Sequence, residues 1–216
     1  IKLKNIKSIN LIQNRSIELS FLLSIPATFG LLIASDQIIN SLFGYGSFSS
    51  LDVKNTALAL TFFSFGVPAF SLIKVLSTFY FARGNTKLPF YVSFLTMIIN
   101  IAISISFFKK YGFIIIPIAT SISTWVAVLI YFILLLRRKI IFFEDKHLIN
   151  FLKILVATIF MSLFLYFGLD IFEDKFEYTY KFKLIYLLIM IGLSAIIYLI
   201  IIKLLGVLSL KSYKLK

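Results

Sequence analysis

The sequence predicts an all-α protein, a polytopic transmembrane helix bundle with six spans. Three observations carry this. Of the 216 residues, 60% are hydrophobic and only 14% charged, with a mean hydropathy of +1.01, where a soluble domain carries about 25% charge. Six apolar stretches, each long enough to cross a hydrocarbon core of about 30 Å, alternate with short polar turns. No soluble domain fits between them, and no internal repeat is evident.

Residues 1–16 form a basic, amphipathic lead-in, with Lys2, Lys4, Lys7 and Arg15 set against Ile6, Ile9 and Ile12. The first span, about 17–43, carries Pro26 and Gly30, then Asp36 and Asn40 near its far end. A Gly44-Tyr45-Gly46 turn leads past Asp52 and Lys54 to the second span, about 56–82. A basic turn from Arg83 to Pro89 precedes the third span, about 90–108, where Ser93, Thr96, Asn100 and Ser104 share a narrow stripe expected to face a neighbouring helix. Lys109, Lys110 and Gly112 open the fourth span, about 113–136, which holds Pro117 and the cluster Thr120, Ser121, Ser123 and Thr124. Small hydroxylated residues of this kind usually serve close helix packing in membranes. Arg137, Arg138 and Lys139 end that span, and a polar link from Glu144 to His147 leads to the fifth span, about 148–169. An acidic loop with Asp170, Glu173, Asp174 and Glu177 precedes the sixth, about 184–205, and a basic tail ends at Lys216. The chain begins at Ile1 in mid-pattern, shows no signal peptide, and reads as part of a longer protein.

Alternate connections carry 13 and 6 lysines and arginines. By the positive-inside rule the richer set is cytoplasmic. Both ends of this segment are then inside, and Asp52 and the acidic loop outside. The net charge of +13 points to orientation and anionic headgroups. Nucleic acid is excluded, because the basic residues are scattered between apolar spans. The absence of cysteine excludes disulfides and Cys-ligated metals, and the lone His147 is expected at the surface. No hydrolytic triad, phosphate-cradling loop or metal-ligand spacing occurs, so neither an enzyme nor a cofactor is expected.

Lys74 is the residue in the spans that asks for a reason. Nine positions separate it from Arg83, roughly 13 Å along a helix, so it lies near the midplane if Arg83 marks the surface. A charge there is costly and points to function by default. Two readings stand, an inward-facing functional lysine and one that snorkels to the interface. Helical Cβ atoms lean toward the N-terminus, which tilts Lys74 away from the nearer surface. Ser71, Ser77 and Thr78 share its face, while Phe65, Leu72, Leu76 and Phe79 lie opposite, a pattern predicting one side on lipid and one on a polar interior. Pro68 is expected to kink the helix just before Lys74.

An ordered series of motifs then narrows the reading. Pro26-Ala-x-x-Gly30, Leu42-Phe-Gly-Tyr-Gly-Ser-Phe48 with Asp52, Gly66-x-Pro-Ala-Phe70, Lys74-Val-Leu76, Phe79-Tyr-x-Ala-Arg83 and Asn85-Thr-Lys-x-Pro89 resemble the MurJ/MviN lipid II flippase family, of the multidrug/oligosaccharidyl-lipid/polysaccharide exporter superfamily. Asn100, Gly112 and the Ser/Thr-rich fourth span ending in Arg137-Arg138 agree. The motif match covers about 16–138, and beyond it only span lengths fit. Asn85 stands where the family commonly has an acid, and Gln37 where a proline is common.

The resemblance implies a fourteen-helix transporter of which this chain supplies helices nine to fourteen. Its activity would be the movement of the undecaprenyl-pyrophosphate-linked peptidoglycan precursor from inner to outer leaflet by alternating access, in the bacterial inner membrane. Residues 1–16 would be the cytoplasmic lead-in, 17–138 the four-helix part of the C-terminal lobe, and 139–216 two helices shaping a lipid-tail groove, with the tail. Lys74, with Ser71, Thr78 and Arg83, would bind substrate, and the partners would be the lipid-linked substrate, membrane lipids and an N-terminal lobe of the same protein. A related polysaccharide-lipid exporter and a non-transporting membrane scaffold are the alternatives.

Overall fold

Long apolar runs without strand-like alternation become helix. The computed structural model describes residues 2–141 and 145–207, with side chains from Ser8 onward apart from Asp145. Glu144 and the basic tail from Leu208 lie outside the described residues. The helices are α1 (Lys2–Phe43), α2 (Ser50–Ser64), α3 (Val67–Phe81), α4 (Lys87–Tyr111), α5 (Ile115–Arg137), α6 (Asp145–Ile171) and α7 (Lys183–Leu204), with 3₁₀ turns at Gly112–Ile114 and Glu173–Phe176. Helix α1 runs unbroken through the lead-in and through Pro26.

Among the described residues, five segments are long and apolar enough to cross a membrane: Ser8–Phe43, Ser50–Phe81, Lys87–Arg137, Lys146–Ile171 and Lys183–Leu204. The sequence predicts six. The difference arises at Gly112, where α4 and α5 follow one another through a single 3₁₀ turn and form one continuous apolar segment of 51 residues. Gly112 adopts φ +61°, a conformation open to glycine but costly for other residues, and this reverses the chain.

The chain forms two compact units that interleave along the sequence. The first comprises Ile1–Ser24 and Phe62–Leu148, the second Ile25–Thr61 and Ile149–Lys216. In the first, Leu72, Leu76, Phe79 and Tyr80 of α3 pack with Ala127, Val128, Tyr131 and Leu135 of α5, with Ile17 and Val92 completing the core. In the second, Ala34 of α1 packs with Leu165 and Leu169 of α6 and Leu187 and Met190 of α7. A smaller cluster joins Ile39 to Val53 and Ala57.

Lipid tails are as apolar as leucine, so packing and interhelical hydrogen bonds, at about 0.6 kcal/mol and up to about 2 each, hold such helices together. Ser20 donates to Ser71 at 2.8 Å, Thr61 to Ser35 at 2.9 Å, and Asn100 to Thr120 at 2.9 Å. The Asn100 bond places the α4 stripe against α5, as its spacing predicts, although Ser93 stays exposed. The rest of α4 presents Phe90, Phe94, Ile98 and Ile105 outward, a surface suited to acyl chains.

Candidate functional site

The second predicted span is two helices. Pro68 has no N–H to give and its ring crowds the carbonyl four residues back, which is that of Ser64, the last residue of α2. The result is a break rather than the expected kink, and it falls at Phe65–Gly66, with Pro68 in the first turn of α3. A break inside an apolar span leaves carbonyls without helical partners. Here α5 supplies them. Ser121 Oγ donates to the Phe62 carbonyl at 2.7 Å and Trp125 Nε1 to that of Phe65 at 2.9 Å. Gly66 lets α5 come this close, since a Cβ on it would lie 2.9 Å from Ser121 Oγ and 3.0 Å from the Phe70 ring.

Helix α3 starts from this break and carries Lys74 at its middle. Its Leu72, Leu76 and Phe79 side is buried in the core of the first unit, so the apolar face predicted to meet lipid packs on protein instead. Two of these residues, Leu72 and Leu76, line up with the small and apolar positions of α5, which explains the reversal. Phe65 alone of that set is exposed.

Lys74 and Thr78, one turn apart, are both exposed on the opposite side. Thr78 Oγ1 bonds the Val75 carbonyl at 2.6 Å and Ser77 Oγ that of Lys74 at 3.1 Å. Ser71 is not with them, because its hydroxyl accepts from Ser20 of α1. Arg83 turns back on the end of α3, donating to the Phe79 carbonyl at 2.6 Å. With the Gln13 amide oriented for bonding, its oxygen accepts from both terminal guanidinium nitrogens of Arg83 at 3.2 Å, while its nitrogen donates to the Ile140 carbonyl at 3.0 Å. Arg83 thus ties α1, the end of α3 and the link after α5 together. The arrangement brings Lys74 and Thr78 together, and it gives Ser71 and Arg83 structural partners.

Two placements overturn expectations. His147 is not a surface residue, for its Nδ1 lies 2.8 Å from Glu18 Oε2 and both side chains are mostly buried. Its spacing gave no sign of this, since the partner is 129 positions away. Lys183, counted as a loop lysine, is fully buried.

The described residues thus form an all-helical bundle of membrane-spanning length, in which α3, the second half of a broken helix, carries Lys74 at its middle. The profile of the family described as "Lipid II flippase MurJ" matches residues 1–189, and the chain belongs to that family. The match passes well beyond Arg138, where the motifs fade.

Among relatives, a protein of Rickettsia prowazekii named "Probable lipid II flippase MurJ" is 39% identical over 124 residues, 57% of this chain and 24% of that protein. One of the same name from Borreliella burgdorferi is 32% identical over 199 residues, 91% of this chain and 38% of that one. A solved structure titled "Lipid II flippase MurJ, inward closed conformation" superposes with a TM-score of 0.72 at 30% identity, covering 90% of this chain and 38% of the other. The chain thus spans about two-fifths or less of the length of these proteins.

Proposed function

We propose that this chain is the C-terminal part of a lipid II flippase, which moves the undecaprenyl-pyrophosphate-linked precursor from the inner to the outer leaflet by alternating access. Its membership of the family over residues 1–189 is the observation that carries the reading. In the whole protein an N-terminal lobe completes the cavity. The substrate is a diphosphate, so a lysine at the middle of a broken helix offers a point charge at the right depth. Lys74 and Thr78 are therefore the substrate-side residues of this chain, with Ser71 and Arg83 holding α3 in place around them. Residues 1–16 serve as the cytoplasmic lead-in, 17–138 as the transport-lobe helices, and 139–216 as helices lining the path of the lipid tail.

The full-length protein should restore growth and normal shape to bacteria depleted of their own lipid II flippase. If a well-expressed, membrane-inserted protein gives no rescue, while a known flippase does in the same strain, the reading is wrong.

Helices α4 and α5 cross the membrane separately in this reading, giving six crossings in the bacterial inner membrane. A segment of 51 residues would run about 77 Å as one helix, against a core of about 30 Å. With 13 basic residues on one set of connections and 6 on the other, Thr86 and His147 face the cytoplasm and Asp52, Lys110 and Glu173 the periplasm. Single cysteines at the exposed positions among these, Asp52, Thr86, Lys110 and Glu173, in a full-length protein cleared of other cysteines, should follow that pattern. Glu173→Cys should react with an impermeant thiol reagent on intact spheroplasts, and Thr86→Cys only after permeabilisation. Labelling of Thr86→Cys on intact spheroplasts would invert the topology.

A further inference from the structure

Lys183, the first residue of α7, has no exposed surface, and its ammonium is completely engaged. Its Nζ donates to Asn40 Oδ1 at 2.9 Å, to the Gly44 carbonyl at 2.8 Å and to the Tyr178 carbonyl at 3.0 Å. An ammonium has three N–H groups, so none is left over. The rings of Tyr45 and Tyr178 lie 4.2 and 5.0 Å from it, within cation–π range. Asn40 uses the other end of its amide to reach the Phe176 carbonyl at 2.6 Å, and Tyr178 Oη donates to the Phe48 carbonyl at 2.6 Å. These bonds join the 40–48 turn, the 172–182 segment and α7, all within the second unit. Gly44 is required in this turn, since a Cβ there would lie 2.6 Å from the Asn40 carbonyl oxygen.

Beyond the clasp, the segment is held by Phe176 in the core of the second unit and by the rings of Phe172 and Tyr180 lying 6.1 and 5.9 Å from that of Tyr186 on α7. Phe176 is its one buried side chain, while Glu173, Asp174, Glu177, Tyr178 and Phe182 are exposed. Regions with few buried apolar contacts open locally at low cost. Opening would also return a buried ammonium to water, which offsets the hydrogen bonds lost. Holding α7 on α1 with apolar side chains of similar volume would generally be no weaker. Water can replace all three acceptors of this ammonium, so opening the junction would leave no charge unpaired.

We propose that residues 172–182 are a strap that opens and closes during transport, with Lys183 as its fastener and the 40–48 turn as its seat. This rests on the flippase reading only for its link to transport. The acids of the strap lie outside the clasp and take no part in it.

Two measurements on the full-length protein test the proposal. Hydrogen exchange in lipid nanodiscs should show Lys183→Met raising exchange in peptides covering 172–182 and 40–48 by roughly ten- to a hundredfold, the equivalent of one hydrogen bond to a charged group. Peptides from α4 and α5 should not change. Tyr178→Phe, which keeps the ring and the carbonyl but loses the bond to Phe48, should raise exchange in the same peptides by a smaller factor, and it serves if Lys183→Met fails to insert. Replacing Glu173 and Glu177 by Gln and Asp174 by Asn should leave exchange and complementation unchanged. Unaltered exchange in both clasp variants would remove the fastener.

The second measurement asks whether the strap must open. Ser47 and Thr179 are exposed neighbours of the Tyr178–Phe48 bond. Ser47→Cys with Thr179→Cys, joined by a short reducible bis-thiol reagent, should arrest transport in proteoliposomes, and reduction should restore it. Full transport by the cross-linked protein would overturn the strap's opening. If the unmodified protein transports no lipid-linked precursor at all, the flippase reading fails, and the exchange data still decide whether the clasp exists.

Discussion

Lys74→Met in the full-length protein should abolish rescue of a flippase-depleted strain while leaving the protein at normal abundance. Lys74 is exposed on α3, so methionine, with a similar unbranched stem, disturbs no core contact. What it removes is the charge, and if Lys74 holds the substrate as proposed, a diphosphate would lose the attraction that an ammonium provides at low dielectric. A hydrogen bond to a charged group contributes about 1.5–3 kcal/mol, so losing one should reduce transport about ten- to a hundredfold. Lys74→Arg keeps the charge but changes its shape and donor geometry, and should transport at an intermediate rate. A snorkelling lysine predicts the opposite, because removing its charge from the membrane is neutral or stabilising. Full rescue by Lys74→Met would therefore refute the substrate role and leave the family membership intact.

Most of the helical framework was legible from apolar run length, because a membrane span must satisfy every backbone group internally and helix is the simplest way. The limits of α4, α6 and α7 fall within a few residues of those expected. Harder to see was which side of α3 faces what. The Leu72, Leu76 and Phe79 stripe looks the same whether it meets lipid or α5, since both are apolar, and only tertiary packing separates them. The long-range pairs were hidden for another reason. Glu18 with His147, Asn40 with Lys183 and Ser121 with Phe62 are separated by tens of residues or more, and no local periodicity registers them. Lys183 illustrates this best, since a lysine beside an acidic loop reads as solvated until its three carbonyl acceptors are in view.

The break at Gly66 was legible only as a kink, and it leads to the largest expected effect on stability. Gly66→Val should sharply reduce both the amount of folded protein and its thermal unfolding midpoint in detergent. The new Cβ would meet Ser121 Oγ at 2.9 Å and the Phe63 carbonyl at 3.2 Å, and valine adds two methyl groups beyond it. The serine is the easier of the two to displace, and its movement strips the Phe62 carbonyl of its donor. An unsatisfied buried carbonyl costs about 1–3 kcal/mol, and overpacking adds a similar amount, about 1–3 kcal/mol. Gly66→Ala places one carbon in the same contact and should cost less. Ser121→Ala separates the contributions, because it removes the donor without crowding and should lose only the first. The three variants should therefore rank Ser121→Ala and Gly66→Ala mild, Gly66→Val severe. If Gly66→Val unfolds at the temperature of the parent, α5 has room to retreat, and the close seating of α5 on the broken helix is not what holds α3, and Lys74 with it, in place.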